Sequence, residues 1–167
     1  MKTLQLLRHA KSDWNADYGD DHQRPLNSRG EKAAETVGRF LAAIDQVPDL
    51  VVSSSAVRAR TTAEMAQEAG SWQRTLEVTR DLYASHAEAV LDHVKRLDNR
   101  HQSVLLVGHE PTWSDLAGRL IGNASLRVAT ATLVRIDFHV ERWSALELGR
   151  GTLIWMIPPK VLQRAGV

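Results

Sequence analysis

The chain has no cysteine among its 167 residues. That absence excludes a disulfide framework, cysteine-ligated zinc, iron–sulfur clusters and a thiolate nucleophile. Thiol proteases and cysteine-based phosphatases go with it. An excess of charge of one sign is also missing: 21 basic residues face 20 acidic ones, for a formal charge of +1. Proteins that coat nucleic acid carry a strong basic excess, so nucleic acid is not an expected partner. A small, locally positive pocket remains compatible with the balance. Long hydrophobic runs are lacking too. The apolar start from Met1 to Leu7 is interrupted by Arg8, His9 and Lys11, which is too short for a signal core or a membrane span. The expectation is a cytoplasmic protein without a membrane partner. The chain shows no repeat and no low-complexity tract, and its length suits one domain over 1–167. A core of that size needs no metal or disulfide staple.

What is present is an alternation of short apolar runs with longer helical patterns. Strands are expected at 3–7, 50–53, 76–78 (a weak edge strand), 103–107, 132–138 and 152–157. Between them, residues 8–27 are polar and irregular. A helix follows, capped by Asn27 or Ser28, with Ala33, Val37, Phe40, Leu41 and Ile44 at helical spacing. Further helices are expected over 56–69, 87–97 and from Pro111 to about Ile121, with Ser85 as the N-cap of the 87–97 helix. Pro158 and Pro159 then lead into a short tail. Alternating strands and helices imply an α/β fold with a mainly parallel sheet covered on both faces. Ligands of such sheets bind beyond the carboxyl ends of the strands.

Three of those ends carry unusual residues: Arg8-His9, then Ser53-Ser54-Ser55 with Arg58, then Gly108-His109. Arginines fork around phosphate or carboxylate oxygens and stay charged. A neutral imidazole can attack phosphorus and form a covalent phosphohistidine. A second histidine, protonated, can donate to a phosphoryl oxygen, and a helix start adds N–H groups. Together they suit a phosphoryl transition state, where positioning and electrostatics supply most of the catalysis. Each element alone has a bland reading as a surface arginine or a turn histidine.

The run Leu6-Leu7-Arg8-His9-Ala10-Lys11-Ser12 resembles the opening signature of the histidine phosphatase superfamily. The segments from Ser54 to Ala63 and from Val107 to Pro111 resemble its second arginine and second histidine motifs. The Arg8-to-Trp14 opening and the segment Arg24-Pro25-Leu26-Asn27-Ser28-Arg29-Gly30 are most similar to SixA-like phosphohistidine phosphatases. The resemblance implies a phosphoglycerate mutase-like three-layer sandwich around a central, mostly parallel sheet. It implies His9 as nucleophile, with Arg8, Arg58 and His109 completing the phosphate pocket. It places Asn15 and Ser12 as further phosphate contacts, each with an ordinary turn or capping role as its rival. Ala10 stands where the superfamily usually has Gly, a strained choice if that position needs positive φ.

Many members of the superfamily protonate the leaving oxygen with a carboxylic acid. Its segment falls near 81–88, where Asp81, Ser85, His86 and Glu88 are all conceivable and none is singled out. Expelling an alkoxide needs such help. Expelling an imidazole, with a reference pKa of ~6.5, needs little. The gap therefore tilts the expected activity toward phosphohistidine on a protein. The alternatives are a small-metabolite or nucleotide phosphomonoesterase, a mutase, and a non-catalytic phosphate-binding module. No cofactor is expected, and arginines beside His9 and His109 would repel a metal cation. His22, His86, His93, His101 and His139 read as surface residues, and the five tryptophans as packing, with Trp14 or Trp113 able to line the substrate entrance. The loops 13–24 and 122–130 are expected to form the pocket rim.

Overall fold

The computed structural model describes residues 1–166. Its strands are β1 (Lys2–Arg8), β2 (Leu50–Ser54), β3 (Thr75–Thr79), β4 (Ser103–Gly108), β5 (Leu133–Phe138) and β6 (Thr152–Ile157). Its helices are α1 (Ser28–Ala43), α2 (Val57–Ala69), α3 (Ala87–Lys95), α4 (Thr112–Leu120) and α5 (Pro159–Arg164). The six strands form one sheet in the order β3-β2-β4-β1-β5-β6. β1, β2, β3 and β4 run parallel, while β5 is antiparallel to both of its neighbours. The sheet is thus mostly parallel, and β3 is the expected edge.

Alternation along the strands builds two cores. Leu4, Leu6, Val104 and Leu106 face α3 and α4, where Leu91, Val94, Leu116 and Leu120 close over them. Leu7, Leu105, Val107 and Val51 point to the other face, against Val37 and Leu41 of α1 and Ala59, Ala63 and Ala66 of α2. Strands covered on both faces are near-continuously apolar, which is why the 103–107 run reads so clearly. Trp72, Trp113 and Trp143 are buried, whereas Trp14 is exposed.

Local details differ from the sequence reading in physical ways. Asn27 alone caps α1, accepting from the Gly30 N–H at 2.9 Å. His86, not Ser85, caps α3 through its ring nitrogen. Pro111 sits at the N-cap of α4, one residue before the first turn. The tail after Pro158 is the short helix α5, opened by Pro159 at its first position, where a missing N–H costs nothing.

Candidate active site

The strand register places the two motif histidines side by side. Arg8 pairs with Gly108 across β1 and β4, and the His9 N–H donates to the Gly108 carbonyl at 2.9 Å. The rings of His9 and His109 lie 5.1 Å apart, centroid to centroid. Gly108 is required here, because a Cβ would run into the indole of Trp113. That indole is fully buried beneath the site, so Trp113 does not line an entrance.

The His9 Nδ1 hydrogen-bonds the carbonyl of Ala10 at 2.7 Å. A carbonyl only accepts, so Nδ1 holds the proton and Nε2 keeps the lone pair. Burial, then the charges of Arg58, Arg8 and Arg24, lower the His9 pKa to about 4, against the pull of the Ala10 hydrogen bond. Ala10 is buried and its φ is not positive, so the alanine is unstrained.

Arg58 reaches the same point from the first turn of α2. Its Nε lies 3.4 Å from the His9 Nε2. Thr62, one turn further on, fixes that spacing: its hydroxyl donates to the Arg58 carbonyl at 2.6 Å and accepts from the Ala10 N–H at 3.0 Å. No side chain caps α2, whose N-cap is Ala56.

His109 Nε2 is 2.8 Å from the Ser54 hydroxyl, at the carboxyl end of β2, and its Nδ1 is buried without a partner. Burial, then the neighbouring His9 and Arg58, lower its pKa to about 3. Burial and its neighbours thus favour the neutral form of His109, against the protonated second histidine expected. Arg8 is half-buried, and its Nη1 donates to the Val128 carbonyl at 3.0 Å. Its charge reaches both histidines, lowering the pKa of each.

The two loops expected at the rim fare differently. Loop 122–130 supplies that Val128 carbonyl. Loop 13–24 supplies a polar cluster that sequence reasoning missed. Asp21 accepts from Arg58 Nη2 at 2.9 Å and from Arg24 Nη2 at 2.8 Å, with the Tyr83 hydroxyl 3.3 Å away. His22 Nε2 lies 2.9 Å from the Ser55 hydroxyl, and its ring meets Tyr83 edge-on at 4.8 Å. His22 is thus a half-buried pocket neighbour and not the surface residue expected. Tyr83 also meets His109 edge-on at 5.7 Å. Ser12 is buried and accepts from Arg24. Asn15 is exposed, and its backbone N–H donates to the Asp13 carboxylate.

Two of the conceivable acids, Asp81 and Glu88, are paired elsewhere. Asp81 lies 3.3 Å from His93 Nδ1, and the Ser85 carbonyl accepts from Thr112. Glu88 pairs with Arg119, whose hydrogen bond holds its carboxyl at about 2. Among the described residues, no hydrogen bond joins Asp81, Ser85, His86 or Glu88 to His9, Arg8, Arg58 or His109.

Residues 4–83 match the family model of the histidine phosphatase superfamily, branch 1. The chain belongs to that superfamily. An uncharacterized protein of Mycobacterium tuberculosis is 30% identical, over 92% of this chain and 100% of its own length. The crystal structure of a candidate phosphohistidine phosphatase SixA from Agrobacterium tumefaciens is 29% identical. It covers 95% of this chain and 98% of that one, with a TM-score of 0.81. An Escherichia coli structure described as an alpha-ribazole-5'-P phosphatase shares the fold at a TM-score of 0.70 and 20% identity, over 95% and 97% of the two chains. The chain is a phosphatase, as its family match, together with its phosphatase structural neighbours, supports. The fold is the phosphoglycerate mutase-like one that the motifs implied. Among the described residues, no helix is long and apolar enough to cross a membrane.

Proposed function

We propose that the chain hydrolyses phosphohistidine on a protein through a covalent intermediate on His9. The observation that carries this reading is the His9 ring: neutral, locked by Ala10 at Nδ1, with Nε2 beside Arg58. Arg8 and Arg58 draw in the phosphoryl oxygens, and the ring of His109 lies beside that of His9. Arg24 joins them as a third cation. Nε2 attacks phosphorus in line, the substrate N–P bond breaks, and the imidazole departs neutral because the substrate ring already carries a proton on its other nitrogen. Water then attacks phospho-His9, releasing inorganic phosphate and restoring the neutral ring. The arginines supply the charge stabilisation that such a transition state needs. Ser12 acts through Arg24, and Asn15 joins the phosphate contacts as its exposed loop folds inward on binding.

The choice of phosphohistidine rests on proton supply. Of the carboxyl groups near the pocket, that of Asp21 contacts two of its arginines. Its partial burial raises the pKa, but the Arg24 hydrogen bond and the Arg58 and Arg24 charges outweigh that and lower it. It holds no proton for a leaving alkoxide at neutral pH. An imidazole leaving group does not ask for one. A metabolite phosphomonoesterase, as the name of the Escherichia coli neighbour would suggest, is the second reading. Its support is the Tyr83 hydroxyl beside Asp21, an O–H that an alkoxide could use.

The test is a side-by-side turnover panel of phosphohistidine protein, phosphohistidine peptide, sugar phosphates, nucleotides and an aryl phosphate, with His9→Ala as control. The expected result is highest kcat/KM on phosphohistidine. A clear preference for a phosphomonoester would favour the second reading.

A further inference from the structure

We infer that Asp21 is a tethered competitor for the phosphoryl pocket: substrate displaces its carboxylate, and its return expels the phosphate product. The inference rests on the phosphatase reading above. Arg58 turns one edge of its guanidinium toward two things at once. Its Nε lies 3.4 Å from the His9 Nε2, and its Nη2 donates to the Asp21 Oδ2 at 2.9 Å. Those two N–H groups lie parallel on one edge of a planar fork, the edge that grips a pair of phosphoryl oxygens. Phosphorus bonded to the His9 Nε2 would bring its oxygens onto that edge, and Oδ2 already holds half of it.

The rest of the carboxylate is bound as an oxyanion would be. Oδ1 accepts from Arg24 Nε at 3.2 Å and Nη2 at 2.8 Å, and Tyr83 Oη lies 3.3 Å from Oδ2. Both arginine side chains are 6% exposed, whereas that of Asp21 is 51% exposed. The carboxylate is therefore the member free to leave. It can swing to solvent by rotation about its own side-chain bonds. Meanwhile the Asp21 carbonyl keeps its 2.6 Å hydrogen bond from Arg58 Nη1. The arginine stays aimed while the carboxylate moves.

Two consequences follow from charge. A tethered group competes at a high effective concentration, of millimolar order for a flexible tether. A monoanion taking its place exchanges one negative charge for another and gains little. A dianionic phosphoryl group adds one, so the pocket discriminates against carboxylates and phosphodiesters. After hydrolysis the same competition shortens the residence of inorganic phosphate.

The test is calorimetric titration of wild type, Asp21→Asn, Asp21→Ser and Arg58→Ala with inorganic phosphate and, separately, acetate. Both Asp21 variants are expected to bind phosphate about tenfold more tightly, the tethered competitor being gone. They should also gain measurable acetate binding and show stronger product inhibition. Equal or weaker phosphate binding in both would overturn the inference and make Asp21 a residue that positions the arginines. In that case the phosphatase reading stands, provided wild type binds phosphate and Arg58→Ala does not. Failure of every protein to bind phosphate would overturn the pocket itself and the inference with it. Two dissimilar replacements guard against one that fails to fold.

Discussion

The Nδ1 of His9 lies 2.7 Å from the carbonyl of the next residue, Ala10. This contact ties the ring of the proposed nucleophile to its own backbone and leaves Nε2 facing Arg58. Because Ala10 is in turn held by Thr62 of α2, the ring and Arg58 share one scaffold. Replacing His9 with Ala is expected to lower kcat by at least about 10⁴-fold, as loss of a covalent nucleophile does. Steady-state turnover of a phosphohistidine peptide checks this.

The two histidines set the acid limit. In the proposed mechanism neutral His9 is the reactive form, and burial depresses its pKa to about 4 from an ordinary 6.5. His9 and His109 titrate as a pair. Activity should therefore be full at neutral pH and fall only as pH drops through about 4, well below where an ordinary histidine would switch it off. Stability follows the same sign. Both folded-state values lie below the unfolded one, so stability is intact above 6.5 and declines as pH falls toward the folded values of about 4 and 3. A kcat/KM profile and chemical denaturation at several pH values check the two claims. An acid limb of kcat/KM centred near 6.5 would contradict the first, and unchanged stability between pH 6.5 and 4 the second.

Thr62 is a positioning residue. Thr62→Val keeps the volume but leaves the buried Ala10 N–H without an acceptor, a cost of about 1–3 kcal/mol. Unfolding free energy should drop by that order. The kcat should fall more than KM rises, because the His9–Arg58 spacing loosens. Thr62→Ser, which keeps the hydroxyl, should restore most of the kcat. Equal loss in both variants would mean that the methyl group, not the hydroxyl, carries the effect.

The Arg24 guanidinium lies 3.6 Å from the centre of the Trp14 ring, on the exposed side of the pocket. Such a contact at an exposed site is worth about 0.5–1 kcal/mol. Trp14→Ala should weaken phosphate binding two- to fivefold, while Trp14→Phe should recover most of it. Phosphate titration reads both. Unchanged binding in the Ala variant would show that Arg24 does not need the stack.

The parts of this molecule that announce themselves locally were legible from sequence. Apolar strands buried on both faces, helical spacing in α1 and the three motif segments all lie within short stretches of chain. Pairings between distant segments were not legible. Nothing local says that Asp21 meets Arg58, or that Tyr83 stands over His109. Tyr83 lies inside the 81–88 stretch, but nothing local marks its hydroxyl as the one that meets Asp21. Arg24 lies in one of the motif segments, but its contact with Asp21 depends on how loop 13–24 folds back. The neutrality of His109 is likewise a property of assembly, since burial and the neighbouring His9 create it. Ser85 lost the α3 cap to His86 because an imidazole nitrogen can accept from a helix N–H as a hydroxyl does.

The central claim is that phosphoryl groups pass through His9. It is tested most directly by rapid-quench trapping with a radiolabelled phosphohistidine peptide, followed by peptide mapping. The account predicts an acid-labile label on the peptide containing His9, absent in His9→Ala and longer-lived in a variant slowed at the hydrolysis step. Full turnover with no label on that peptide, or a label that persists in His9→Ala, would contradict it.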